Sequence, residues 1–261
     1  MSQLEQNPIT APDYEEIAAD YDRRYSQGEL PGIRSTIENF KQRVKPGAWL
    51  EVGCGTGQWL LDTPSSIEPV GLDGSRQMLS QAQVKIPGTA LVQALAERIP
   101  FKDHSFQAVA TIHAFHHFSR PDEFLGQAAR LLSPGGGLLI LGMNAFAPAI
   151  EWYIYEFFEG TQRRDQARFP DYEALSERLG SLGFERVERG LAQQVDDTLV
   201  GEEVLAQPFL RRRGCSQMAL LSDEEYQRGL AKIKLTIQQE PDHEFRAFVP
   251  LEYLWAVRGS R

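Results

Sequence analysis

Trp49-Leu50-Glu51-Val52-Gly53-Cys54-Gly55-Thr56-Gly57 is the stretch on which the fold turns. A short apolar run leads without interruption into three closely spaced glycines. The run reads as a buried strand, and the glycines as a tight turn whose bare backbone lies against a ligand. A dinucleotide fingerprint places its third glycine five positions after the first, and that position is Gln58 here. The third glycine comes one residue early, and a phosphate-loop Lys-Ser/Thr pair is absent. Such a loop suits a nucleoside better than a pyrophosphate.

Outward from this loop the chain alternates. Residues 33–44 read as a helix, stopped by Pro46-Gly47, and 48–52 as the first strand. A helix is expected over residues 58–62, a strand over 68–72 and a helix over 75–85. Strands follow at 90–93 and 106–112, a helix at 122–132, and a strand at 138–141 after Pro134-Gly135-Gly136-Gly137. Strands alternating with helices imply a parallel sheet covered on both faces. Farther on, 172–182 reads as a helix, 184–190 and 251–257 as strands, and 197–241 as helical and polar, with a cap at Ser222 and Glu225. At the other end, Thr10 and Pro12 can start a helix that aligns Tyr14, Ile17, Ala18, Tyr21 and Tyr25 on one face. The expected architecture is an α/β, Rossmann-like three-layer sandwich. Its seven-stranded sheet is mostly parallel, with an antiparallel last strand and a helical cap.

The 261 residues suffice for one large α/β domain with insertions, and 42% hydrophobic with 24% charged residues is ordinary for a globular chain. A net charge of -9 disfavours a phosphate-backbone partner, so a nucleic-acid substrate is not expected. Arg211-Arg212-Arg213 is the densest basic cluster and reads as a solvated helix end. Two cysteines, Cys54 and Cys215, make neither a disulfide framework nor a zinc site. No apolar run reaches transmembrane length and the first residues do not resemble a signal peptide, so no membrane partner and a cytoplasmic setting are expected.

Asp73 ends the second strand, 20 residues after Gly53, where a carboxylate can accept both hydroxyls of a ribose. Its alternative reading is a charge at a helix start beside Ser75. The Ala96-Glu97-Arg98-Ile99-Pro100-Phe101 segment follows the third strand, where the edge of an adenine would lie. Three of the five histidines, His113, His116 and His117, cluster at the end of the fourth strand, where parallel sheets hold their ligands.

Together the glycine loop, Asp73, Ala96-Glu97 with Pro100-Phe101, Phe115-His116-His117-Phe118 and Leu132-Ser133-Pro134-Gly135-Gly136-Gly137 resemble class I S-adenosylmethionine-dependent methyltransferases. Within that class the chain looks like the small-molecule group that includes the ubiquinone and menaquinone methyltransferases. The resemblance covers residues 14–142, including Ile17-Ala18-Ala19-Asp20-Tyr21-Asp22. It implies S-adenosyl-L-methionine as cofactor and methyl transfer to a small, apolar or aromatic acceptor. By position it assigns Glu51, Gly53, Gly55 and Gly57 to the methionine part, Asp73 to the ribose and Gly74 and Met78 to the adenosine. Ala96 and Glu97 would meet the adenine, and residues 111–113, Thr111 and His113 among them, the sulfonium and amino group. Leu95 departs from the pattern, since many relatives carry an acid there. Three parts are implied: cap helices over residues 1–45, a cofactor-binding core over 46–143, and 144–261, with substrate-cap insertions at about 144–170 and 197–248.

Methyl transfer needs alignment, exclusion of water and, for a phenol or amine, a base titrating near neutrality. His116 is the favoured base and His113 the second; either could instead pack the loop. Adjacent His116 and His117 point apart, so no metal is implied. Tyr14, Tyr21 and Tyr25 either close over cofactor and acceptor or pack on the domain, with Tyr21 best placed for a cofactor role. Arg34 could meet the cofactor carboxylate. Trp152, Tyr153, Tyr155, Phe157 and Phe158 line an acceptor pocket or simply pack a helix, with Trp152 and Tyr155 taken as acceptor contacts. Two other functions compete: a nicotinamide-dependent oxidoreductase, disfavoured by the early third glycine, and a non-catalytic cofactor-binding relative acting through a partner. Oligomeric state is left open.

Overall fold

The computed structural model describes residues 30–61 and 63–259. Within them the chain begins with helix α1, Pro31–Val44, started by its proline and closed by Lys45 in a left-handed conformation. Strand β1, Ala48–Val52, enters the glycine turn. Then come β2, Glu68–Asp73, α2, Arg76–Lys85, β3, Ala90–Gln93, and β4, Phe106–Ile112. Ser75 caps α2, its hydroxyl accepting the Met78 amide at 3.2 Å. A single 3-10 turn, Phe115–His117, leads to α3, Pro121–Leu131.

Strand β5 runs Leu132–Met143 and β6 is only Glu151–Trp152. The cap helices follow as α4, Tyr153–Phe157, and α5, Thr161–Gln166. Next are α6, Tyr172–Ser181, and β7, Phe184–Val200. Short 3-10 turns, α7, Ser216–Ala219, and α8, Asp223–Gln239, precede β8, Glu244–Arg258.

Strands β1 to β5 are parallel in the order β3-β2-β1-β4-β5. β8 joins β5 antiparallel and carries β7 antiparallel on its other edge. β6 pairs Phe248 and Ala247 of β8, residues whose other edge β7 already holds, so it prolongs the β5 side. That two-residue strand makes the sheet eight-stranded among the described residues, where seven were expected.

Alternation along the strands builds two cores. Leu50, Val52, Val109, Leu138 and Ile140 face α3 and α6, packing on Phe124, Leu125, Leu175 and Leu179. Trp49, Ala108, Ala110, Leu139 and Leu141 face α1 and α2, packing on Ile33, Ile37, Phe40 and Ala82. Each fully buried Leu or Val contributes about 1.5–3 kcal/mol. A third cluster, with Ile154, Phe158, Val204, Met218, Ile233 and Phe245, forms the cap around the far ends of β7 and β8.

Three expectations are corrected. Residues 55–61 form successive turns rather than a helix, with Gly57 bonded to Cys54 O at 2.9 Å and Leu60 to Gly57 O at 3.1 Å. The glycine turn uses the chain through Gly57, and Pro64 disfavours a helical Thr63, leaving too few residues for a helix. The Pro-Gly run at 134–137 lies inside β5. The pairing skips from Phe106–Leu132 to Ala108–Gly137, so the extra residues bulge. β7 extends to Val200, past the expected end at 190, and Arg186 adopts a φ of 50° beside a register shift.

Candidate functional site

The turn after β1 is held from β2. Gly53 and Cys54 both donate to Leu72 O, at 2.7 and 3.0 Å. Gly53 and Gly57 have φ of 76° and 78°. A Cβ on Gly53 would lie 2.4 Å from Ala114 Cβ, and one on Gly57 2.6 Å from Ile86 Cδ1. Both positions therefore need glycine for conformation and for space. Asp73 links the turn to β2: its Oδ2 accepts Gly55 N–H and its Oδ1 accepts Ser75 N–H, both at 2.8 Å.

Glu51 lies one turn below, 0% exposed, and neither carboxylate oxygen has a hydrogen-bond partner. Burial pushes its carboxyl well above the usual range, against the pull of Lys41 and with a further push from Asp73. Thr111, also 0% exposed and at the C-terminal end of β4, has an unpartnered hydroxyl. Buried polar groups are nearly always paired, so these two are set for a ligand that brings donors.

His113 follows β4 with a φ of 55°, a strained conformation for a residue with a Cβ, and donates its amide to Leu141 O at 2.8 Å. Its ring lies 6.2 Å from Trp59, and the Arg34 guanidinium lies 5.7 Å over the same indole. Met78 is buried at the start of α2 and Gly74 is exposed beside Asp73. Ala96 is buried. Glu97 is buried too, and its Oε1 accepts the Arg120 amide at 3.0 Å, tying the segment after β3 to the start of α3. Leu95 is 62% exposed.

His116 stacks on Phe169 with ring centres 3.9 Å apart and planes 11° apart. Beyond Phe169 the cap holds a polar cluster. Asp165, 1% exposed, accepts Tyr155 Oη and Gln217 Nε2 on Oδ2 and Arg168 Nη2 on Oδ1, each at 2.7 Å. Burial pushes the Asp165 carboxyl up, opposed by Arg168 and by the Gln217 and Tyr155 hydrogen bonds. Tyr155 Oη also lies 4.0 Å from Met143 Sδ at the end of β5, and Trp152 meets Tyr155 edge-on at 5.3 Å. Arg212 is a clip rather than a solvated end: it donates to the carbonyls of Met218 and Leu221.

The structure thus gathers Glu51, the three glycines, Asp73, Gly74, Met78 and Thr111 around the C-terminal ends of β1, β2 and β4. His113 and Arg34 join them through Trp59. Tyr14, Tyr21 and Tyr25 lie outside the described residues. Trp59, Asp165, Arg168 and Phe169 escaped sequence reasoning. Trp59 alone carried a signal, standing two residues after the last glycine of the turn.

A doubly wound sheet with a glycine turn and an acid one strand over defines a nucleoside-binding α/β protein. Residues 50–140 match the family model described as a methyltransferase domain. A phthiotriol/phenolphthiotriol dimycocerosates methyltransferase of Mycobacterium ulcerans is 38% identical over 111 residues, 40% of each chain. A ubiquinone/menaquinone biosynthesis C-methyltransferase of Bordetella avium is 26% identical over 181 residues, covering 57% of this chain and 68% of that one. Among solved structures, a phosphoethanolamine N-methyltransferase of Haemonchus contortus with S-adenosyl-L-methionine superposes with a TM-score of 0.58 at 19% identity. It covers 98% of this chain and 59% of that one, a likeness of fold. Over residues 50–140 the chain is similar to methyltransferase domains, and its fold is one that S-adenosylmethionine-dependent methyltransferases of known structure share. The unpartnered Glu51 carboxylate and Thr111 hydroxyl fit that cofactor's amino-acid end, which carries an ammonium. Among the described residues no helix is long and apolar enough to cross a membrane, and no group of three or more His, Cys, Asp or Glu could hold a metal ion.

Proposed function

We propose that the protein transfers the methyl group of S-adenosyl-L-methionine to a small aromatic acceptor seated between the ends of β4 and β5 and the cap. One observation carries this reading: a wholly buried carboxylate, Glu51, stands without a partner beneath a glycine turn that Asp73 holds in place. When bound, the cofactor supplies an activated methyl on a positively charged sulfur. Glu51 and Thr111 would hold its amino-acid end, Asp73 and Gly74 the ribose, and Met78 and Ala96 the adenine. Glu97 would then act mainly by fixing that wall through Arg120. Arg34 and Trp59 would close the methionine side.

The acceptor side would be His116 on Phe169, with Trp152 and Tyr155 behind it. His116 would take the proton of a phenol or amine, and His113 would wall the cofactor. The acidic balance of the sequence supports a small molecule over a nucleic acid, and a cytoplasmic setting fits a chain whose two cysteines do not bridge each other. Residues 46–143 would form the cofactor half and the insertions near 144–170 and 197–248 the acceptor cap. Calorimetry with S-adenosylhomocysteine, then transfer of labelled methyl to a panel of phenols, quinols and aromatic amines, tests the proposal. Micromolar affinity with transfer to one acceptor class supports it. Absence of affinity for S-adenosylhomocysteine, or preferential binding of a nicotinamide nucleotide, overturns it.

A further inference from the structure

Arg168 is over nine-tenths buried, with 8% of its side chain exposed, yet most of its hydrogen-bonding capacity is unused. Nη2 donates to Asp165 Oδ1 at 2.7 Å and to Ser216 Oγ at 2.8 Å. Nε and Nη1 are shut off from solvent and have no acceptor. A guanidinium stays charged at any working pH, and three N–H bonds without acceptors are costly in an interior. Asp165 does not serve them: it meets Arg168 through Nη2 alone, while its other oxygen accepts Tyr155 and Gln217. Position adds the second observation. The guanidinium carbon lies 5.1 Å from the Phe169 ring centre, and His116 stacks on the same ring with centres 3.9 Å apart. The unused donors therefore stand one ring away from the strand end where the methyl acceptor is proposed to sit.

We infer that Arg168 is a specificity-determining residue that pairs with a carboxylate on the methyl acceptor, so that the substrate is an aromatic acid. This rests on the methyltransferase reading above. Asp165, itself held by Tyr155 and Gln217, and Ser216 hold the guanidinium in place, and Phe169 connects it to His116 beside the proposed acceptor. Because the free N–H groups are closed to water, the carboxylate enters when the segment bearing α5 opens, and its pairing favours closure. Charge-assisted hydrogen bonds of this kind are the strong ones, and they discriminate an acid from its neutral amide.

The test titrates the protein, saturated with S-adenosylhomocysteine, with benzoate and separately with benzamide. The Arg168 Nε–H resonance is followed by NMR, assigned by its loss in R168K. The expected result is a saturable shift with benzoate and none with benzamide, and benzoate affinity about tenfold or more weaker in R168M. Since R168M strands a buried acid, D165N/R168M is measured beside it, with folding checked by thermal melting. No shift with benzoate, an equal shift with benzamide, or undiminished benzoate affinity in either folded variant overturns the inference. S-adenosylhomocysteine affinity is read in the same samples. Its absence would sink the methyltransferase reading, whereas its presence with silent benzoate would sink only the role of Arg168.

Discussion

Asp73 Oδ2 accepts the Gly55 amide at 2.8 Å, so the acid of the second strand directly braces the turn of the first. D73A should therefore lose both the brace and a ribose acceptor. S-adenosylhomocysteine affinity is expected to fall by about 1–3 kcal/mol, the range for a hydrogen bond to a charged group. Isothermal calorimetry reads it, and unchanged affinity would remove Asp73 from the site.

Glu51 holds its proton more tightly in the folded chain than in the unfolded one, because burial raises its pKa above the ordinary value of 4.5. The stability that proton confers is full below the ordinary value and fades as pH rises through the folded value. An ammonium brought beside it favours the ionised form, so cofactor binding should release a proton. Calorimetry in buffers of different ionisation enthalpy, from about pH 5 to about pH 8, should show that release, and E51Q should abolish it. A binding enthalpy independent of buffer throughout would contradict the assignment.

Two glycines with left-handed backbones should respond differently to alanine. G53A adds a Cβ 2.4 Å from Ala114 Cβ, whereas nothing lies within 4 Å of one at Gly88. G88A should cost only the conformational penalty, about 1–2 kcal/mol. G53A adds overpacking and should lose about 2–4 kcal/mol in urea unfolding. Equal losses would mean that the turn has more room than the geometry shows.

Gly229 lies inside α8, where alanine ordinarily stabilises a helix by about 1 kcal/mol. Here its Cβ would fall 2.2 Å from Phe158 Cδ1, a ring buried in the cap. G229A is expected to lower the melting temperature, reversing the propensity rule. A raised melting temperature would show that Phe158 can move aside.

The parallel part of the sheet was legible because its central strands are short apolar runs, as from Trp49 into the glycines at 53–57 or from Phe106 to Ile112. The capping box of α8 was equally plain: Ser222 and Glu225 bond reciprocally at 3.1 and 2.7 Å. The start of β7 was read from the sequence, but its continuation over residues 191–200 was hidden, because the register shift between Leu191 and Gln193 breaks the alternation that marks a strand. The Arg168 cluster was hidden for another reason. Tyr155, Asp165 and Gln217 come from three segments, so no local spacing announces them. Phe169 likewise meets His116 across 53 positions, a contact only the folded chain makes.

Strand β8 runs from the cap into the core: Glu244 to Phe248 ladder with β7 and β6, and Leu251 to Val257 with β5. One continuous beam therefore carries both halves of the molecule. Heat or pulling force applied at the cap passes along it to Leu139 and Ile140, so cap and core should melt as a single cooperative unit. Whatever admits a substrate must flex in the helices hung on that beam and leave the beam itself intact.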